Sequence, residues 1–230
     1  MINVISRVAT APARLISLYR CVYDLESLTD TPSIQDLTDF CFQHAIRPLQ
    51  VPEELVSLFE LVSAIGVQNA LEIGTCAGGT LFMTCRVAQP DATIVSVDLP
   101  GGRFGGGYAW LRKPAYQRFA RDRQDLHLLR KDSHEHQTLN LVQTLFKDKP
   151  LDFLFIDGDH TYNGVRADFE MYAPLVRSGG IIAFHDVVKH PQHLGCEVER
   201  FWNEIKHSYR NTEIIKNPLQ GWAGIGILHP

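Results

Sequence analysis

An α/β fold built on a doubly wound, mostly parallel sheet is predicted by two features of this 230-residue sequence. From residue 69 the texture changes to short apolar runs alternating with amphipathic stretches, the pattern of βαβ units. The runs NALEIG, ATIVSVD, LHLLRKD, LDFLFID and GGIIAFHD are strand candidates, and they are apolar enough for a sheet covered on both faces. Segments around 78–88, 114–122, 136–147 and 163–175 supply the intervening helices. The second feature is that these runs end in acids, where open α/β sheets bind ligands.

The remaining elements follow in order. Residues 1–65 read as an N-terminal helical cap and residues 66–230 as the sheet domain. In the cap, SIQDLTDFCFQHAI starts on an N-cap serine, Ser33, and VPEELVSLFELVSAIG repeats apolar residues at helical spacing. The first segment, MINVISRVATAPARLISLYRCVYD, carries Arg7, Arg14 and Arg20 but lacks the order of a targeting peptide: basic start, unbroken apolar core, cleavage site. It is expected to pack on the body or on a second subunit, which makes a homo-oligomer an expectation. Beyond residue 195, CEVERFWNEIKHSY reads as a helix, and TEIIKN and GIGILH close the sheet as an antiparallel edge. The sum is a Rossmann-like, doubly wound sheet with an N-terminal helical cap.

Composition narrows the function. A hydrophobic content of 45% and a charged content of 21% are ordinary for a globular chain. A net charge of -4 offers no footprint for nucleic acid. No apolar run is long enough to span a bilayer, so no stable membrane insertion is expected. Cys21, Cys41, Cys76, Cys85 and Cys196 are odd in number and lack C-x-x-C spacing, which suits free thiols in a reducing, cytoplasmic setting.

The stretch ALEIGTCAGGT places Gly74, Thr75, Gly78 and Gly79 directly after the first strand and before a helix. Glycine allows a tight turn and lets a ligand approach the N–H groups at the helix start. No Gly-Lys-Ser/Thr follows, so this is no Walker A loop. Cys76 stands where a dinucleotide fingerprint needs its second glycine, which disfavours a nicotinamide oxidoreductase. A tight turn alone would explain the glycines, but acids flank them. Glu72 lies at the end of the first strand, Asp98 closes the second at the place where ribose hydroxyls are held, and Asp132-Ser133 follows the third.

With those residues assembled, the chain resembles the class I S-adenosylmethionine-dependent methyltransferases over roughly residues 66–190. The carriers are E-x-G-x-x-x-G from Glu72 to Gly78 and the succession FIDGDH then GGIIAFHD. Together they are similar to the metal-dependent O-methyltransferases of macrolide sugars and the CmcI-like branch. The resemblance implies that Glu72, Gly74, Thr75, Gly78 and Asp98 hold the methionine and ribose parts of S-adenosylmethionine, with Asp132 and Ser133 near the adenine. It implies a divalent metal, magnesium first, held by Asp157 and by an acidic pair ending in Asp186, with His160 as general base. The departure is His185, which stands where relatives carry a carboxylate. Either water fills that position, or imidazole binds and manganese, iron or zinc becomes admissible.

The chemistry needs such residues. Methyl transfer to an alcohol is an in-line displacement that requires an aligned acceptor and a proton acceptor, and imidazole titrates near neutral pH. Against this stands the bland alternative, in which Asp157 and Asp186 cap helices and His160 satisfies a carbonyl. Asp159 is assigned a structural role, and His190 and His193 a place in a mobile polar loop. The segment Leu99–Tyr116, with five glycines beside Arg103, Tyr108, Trp110, Arg112 and Lys113, suits a lid over a polar ligand. The expected function is O-methylation of a small hydroxylated molecule, with a non-catalytic binding module as the alternative outside enzymes.

Overall fold

The computed structural model describes residues 4–25, 28, 31–102, 104 and 107–230; for residues 4–12 and 14 it describes the backbone alone. The side chains of Arg7 and Arg14, and Arg103, Gly105 and Gly106 of the glycine-rich segment, lie outside the described residues.

Seven strands form one sheet: β1 (Asn69–Ile73), β2 (Thr93–Val97), β3 (Asp125–Leu129), β4 (Leu151–Ile156), β5 (Val176–His185), β6 (Arg210–Ile214) and β7 (Ile225–His229). Their order is β3-β2-β1-β4-β5-β7-β6. The first five strands run parallel, whereas β7 is antiparallel to both β5 and β6. The predicted doubly wound sheet with an antiparallel edge is therefore what forms. The chain leaves β1 in one direction toward β2 and returns on its other side at β4, and ligands bind in the crevice at such a reversal.

Side-chain alternation divides the core in two. Ala70, Ile94, Phe153, Phe155, Ile181 and Ala183 point to one face, and Leu71, Val95, Leu154, Ile156, Ile182 and Phe184 point to the other. The first face is covered by helices α1 (Val4–Asp24), α2 (Ile34–Gln43), α3 (Pro52–Ala64), α4 (Gly79–Val87) and α5 (Lys113–Gln117), through residues such as Leu18, Phe40, Leu58, Phe82 and Tyr116. The second is covered by α6 (His136–Leu145), α7 (Tyr162–Tyr172) and α8 (Val198–Ile205), through Val142, Tyr172 and Trp202. Burying both faces of a parallel sheet requires near-continuous apolar strands, and β4 is buried along its whole length.

Local signals set the ends of elements. Ser33 caps α2 as predicted: its hydroxyl accepts from the Asp36 N–H at 3.1 Å, and the Asp36 carboxylate accepts from the Ser33 N–H at 2.9 Å. Leu18 and Cys21 bury the second half of α1 against the body of the protein. The helix expected over 114–122 stops at Gln117. Gln124 and Arg121 close a turn there, and Asp122 adopts a left-handed φ of 52°, which a helix cannot continue through.

Candidate active site

The glycine loop leaves β1 at Gly74, whose φ of +99° favours glycine and whose N–H donates to the Val97 carbonyl at 2.8 Å. A Cβ at Gly74 would collide with the carbonyl oxygen of Asp157, so the loop presses directly on the end of β4. Gly78, also left-handed, begins α4 against the Tyr116 ring. Asp98 ties the loop down from β2, accepting from the Cys76 N–H on one oxygen and from the Gly107 N–H on the other, both at 3.0 Å. Burial raises the Asp98 carboxyl above its usual range, and those N–H donors act against the rise.

Glu72 sits below this surface. Its side chain is buried, accepts hydroxyl hydrogen bonds from Thr80 and from Ser96 (2.6 Å to Ser96), and reaches no cavity wall. Burial pushes its carboxyl up to about 8, although both hydroxyls favour the charged form. The strand's alternation turns Glu72 under the loop, where the sequence reading had it against the ligand. Thr75 continues this network through a 2.6 Å contact with Ser96 and itself lines the cavity.

At the ends of β4 and β5 a second group converges. His185 Nδ1 lies 3.1 Å from Asp157 Oδ1 and 3.3 Å from Asp186 Oδ1. His160 bridges the same acids, Nδ1 lying 2.9 Å from Asp186 Oδ2 and Nε2 3.4 Å from Asp157 Oδ1. His190 Nε2 is 3.1 Å from Asp186 Oδ1, where the Ala223 N–H also donates, and Gln50 donates to Asp157 Oδ2 at 2.7 Å. Burial opposes ionisation of both aspartates, but the surrounding imidazoles outweigh it and hold both carboxyls below their usual range. Burial likewise opposes charge on the imidazoles, yet Asp157 and Asp186 raise His185 to about 10, the same acids with Cys196 raise His160, and Asp186 with Cys196 raises His190 to about 10.

Both groups line one cavity of about 590 Å³, within the range of small-molecule sites. Gly74, Thr75, Gly78, Asp98, Asp132, Ser133, Asp157, His160, His185 and Asp186 all meet it, so Glu72 is the one predicted residue that stays outside. Asp132 folds back to accept from the His134 N–H at 2.9 Å. Asp159 also meets the cavity, and its Oδ1 accepts from the Thr161 N–H at 2.9 Å; Thr161, not Asp157, caps α7.

Several participants were not foreseen. His190 was placed in a mobile polar loop, but its side chain is 7% exposed and faces Asp186. His193, by contrast, is exposed. Gln50 enters from the connection between α2 and α3, and Trp222 and Leu194 stand at the cavity wall. Phe104 of the glycine-rich segment stacks on His160, with ring centroids 4.8 Å apart and planes within 9°. Tyr108 of that segment packs into the core against Tyr116, ring centroids 5.0 Å apart. Buried Glu54 of α3 accepts from the backbone N–H groups of Lys216 and Gly224, both at 3.0 Å, and so anchors the loop that delivers Trp222 and Ala223.

The sheet order, the glycine loop under β1 and the acids at β4 and β5 define a class I methyltransferase fold. The chain belongs to the methyltransferase-domain family, whose model matches residues 71–187. Tapetum-specific methyltransferase 1 of Arabidopsis thaliana is 28% identical over 137 residues, covering 59% of this chain and 54% of the relative. An O-methyltransferase from Bacillus cereus in complex with SAH superposes with a TM-score of 0.56 at 19% identity, covering 94% of this chain and 100% of that one. The MycE methyltransferase of the mycinamycin biosynthetic pathway, in complex with Mg and SAH, superposes with a TM-score of 0.56 at 16% identity, covering 86% and 55%. The chain spans 16% and 54% of the lengths of the first two curated relatives it matches. Among the described residues, no helix is long and apolar enough to cross a membrane.

Proposed function

We propose that the chain transfers a methyl group from S-adenosylmethionine to a hydroxyl of a small polar molecule, such as a sugar unit or a secondary metabolite, with help from a divalent cation. The observation that carries this reading is that the Asp157–His160–His185–Asp186 cluster and the glycine loop share one cavity. Membership of the methyltransferase-domain family and the SAH-bound structural relatives support the donor.

The residues fit both groups. Gly74 and Gly78, both at positive φ, shape the loop that lines the cavity, and Asp98 stands where ribose hydroxyls are held. Asp157, His185 and Asp186 bring ligand atoms within 4.8 Å of one another, and His185 Nε2 is buried without a partner. Bound there, a divalent cation supplies Lewis acidity that makes a hydroxyl easier to deprotonate, and the sulfonium donor supplies an activated methyl.

The chain's own side chains do the rest. Asp186 holds His160 by Nδ1 at 2.9 Å and Asp157 orients its Nε2 at 3.4 Å, the nitrogen that would take the acceptor's proton once released from Asp157. Gln50 and the Ala223 N–H fix the two carboxylates in place. Phe104 covers the imidazole face and limits access of water. The acceptor oxygen then forms its bond to the methyl carbon as the carbon–sulfur bond breaks, and alignment supplies much of the rate. Residues 1–65 act as the cap over this site, supplying Gln50, and Arg20 of α1 faces an adjoining cavity with Arg47 and Arg112. We place the protein in the cytoplasm as a homo-oligomer, on its thiols and on the exposed Ile16, Tyr19 and Tyr23 of α1.

The test is calorimetric titration of chelator-treated protein with S-adenosylmethionine, with and without added cation, followed by turnover on a panel of hydroxylated acceptors. Binding and turnover are expected. Binding without turnover on any acceptor would favour a non-catalytic module, and binding of NADH in its place an oxidoreductase.

A further inference from the structure

We infer that the cation site at the ends of β4 and β5 is a nitrogen-rich one that selects a borderline transition ion, the class of zinc and cobalt, over magnesium. The inference rests on the cation reading above and concerns which ion these side chains suit.

The donor census carries it. Two carboxylates contribute, and parts of both are already engaged: Asp157 Oδ2 accepts from Gln50 at 2.7 Å, and Asp186 Oδ1 accepts from the Ala223 N–H at 3.1 Å. Among the described residues no third carboxylate joins the cluster; Asp159 meets the same cavity, but its Oδ1 accepts from the Thr161 N–H. What surrounds the acids is imidazole. His185 Nδ1 sits between them, His160 reaches both, and His190 faces Asp186. The Cys196 sulfur adds a thiol within 4.8 Å of the His160 and Asp186 ligand atoms.

Magnesium demands an octahedral shell of oxygens and keeps several waters. This pocket offers few oxygens of its own: two carboxylates, each with one oxygen already taken by a donor. Imidazole and thiol are ligands of borderline ions, which tolerate lower coordination numbers and mixed donors. The position that decides between the two classes is His185, since a carboxylate there would bring a third oxygen donor.

Any site with nitrogen or oxygen donors favours zinc over magnesium to some degree, so the informative quantity is how the preference changes. Chelator-treated full-length protein is titrated with Zn²⁺, Co²⁺ and Mg²⁺ by competition calorimetry, as wild type and as His185→Asp. The zinc-to-magnesium affinity ratio is expected to fall at least about tenfold in the variant, the scale on which metal sites respond to changed donors. An unchanged or larger ratio overturns the inference and leaves the cation reading standing. If no divalent ion binds the wild type at all, the cation reading itself fails. Should His185→Asp not fold, the visible spectrum of the cobalt-loaded wild type decides. Strong bands of a low-coordinate nitrogen or sulfur site support the inference, and the weak bands of octahedral cobalt in oxygen overturn it. A band from thiolate charge transfer, lost in Cys196→Ser, would add the sulfur to the ligand set.

Discussion

Two regions of this molecule bury acids at similar depth and treat them in opposite ways. Under the glycine loop, Glu72 is met by the hydroxyls of Thr80 and Ser96, and burial pushes it toward the neutral form. At the ends of β4 and β5, Asp157 and Asp186 are met by three imidazoles, and that positive charge holds both in the ionised form. Burial is common to both, so the neighbours decide the charge. A buried acid held by hydroxyl donors and turned from the cavity is a brace. An ionised pair beside a cavity is a site that can attract a cation or orient a proton acceptor.

The largest expected effect comes from the ionised side. Asp157→Ala should lower turnover by roughly a thousandfold, the scale on which a positioned acid–base or metal-ligating group acts. Affinity for S-adenosylmethionine should change less than about threefold, since the glycine loop and Asp98 are untouched. Steady-state kinetics and calorimetry on the same preparation separate the two. Surviving turnover would mean that the ion pairs at the strand ends are merely structural. Gly74→Ala should act on both regions at once, because its Cβ would collide with the Asp157 carbonyl and its φ of +99° disfavours any side chain. A loss of several kcal/mol of stability, of the order of 3 or more, is expected in denaturant unfolding.

Glu72→Gln sharpens the comparison through pH. A carboxyl raised from 4.5 to about 8 on folding is protonated in the folded chain while the unfolded chain has already released its proton. The folded state therefore binds more protons between those values, and stability falls as pH rises across that window. The imidazoles are raised on folding and their contribution is lost only at higher pH, above the ordinary 6.5 of the unfolded chain. Between pH 5 and 6.5 the slope thus belongs to Glu72 alone of these groups, at up to about 1.4 kcal/mol per pH unit. Chelated wild type should show it in urea unfolding, and Glu72→Gln should flatten it. Equal slopes would place a charged carboxylate under the loop after all.

How far this arrangement was legible depends on how each residue is delivered. Strands announce themselves because burial on both faces demands apolar runs, and a residue at a strand's end inherits its position from that run. Asp98, Asp157, His160, His185 and Asp186 were read from strand ends in this way and line one cavity, and the Ser33 cap was legible from its local hydrogen-bonding pattern. Glu72 shows how much phase matters, since a one-residue change of phase in a strand turns a side chain from the cavity to the core. His190, Gln50 and Trp222 arrive on connections whose paths are set by tertiary contacts, and no periodicity records them. Asp186 itself shows the difficulty: its φ of +64° bends the chain after β5 so that His190 returns to face it.

The smallest of the expected effects tests the one buried acid that links the two sides of the molecule. Glu54 of α3 is a brace like Glu72, yet the loop it braces delivers Ala223 to Asp186 and Trp222 to the cavity wall. Glu54→Gln keeps the volume but turns an amide donor toward one of the backbone N–H groups that the carboxylate accepts. An N–H left facing a donor in a buried place costs about 1–3 kcal/mol, which is enough to loosen the loop without unfolding the sheet. Hydrogen exchange at Lys216 and Gly224 should speed up while exchange in β1 and β4 stays slow. If Glu54 is a brace for the catalytic side, the variant should also bind acceptor and cation more weakly while its affinity for S-adenosylmethionine holds. Were exchange to rise at the loop with cation affinity unchanged, Asp186 would be held by its imidazoles alone, and the loop would serve the cavity wall only.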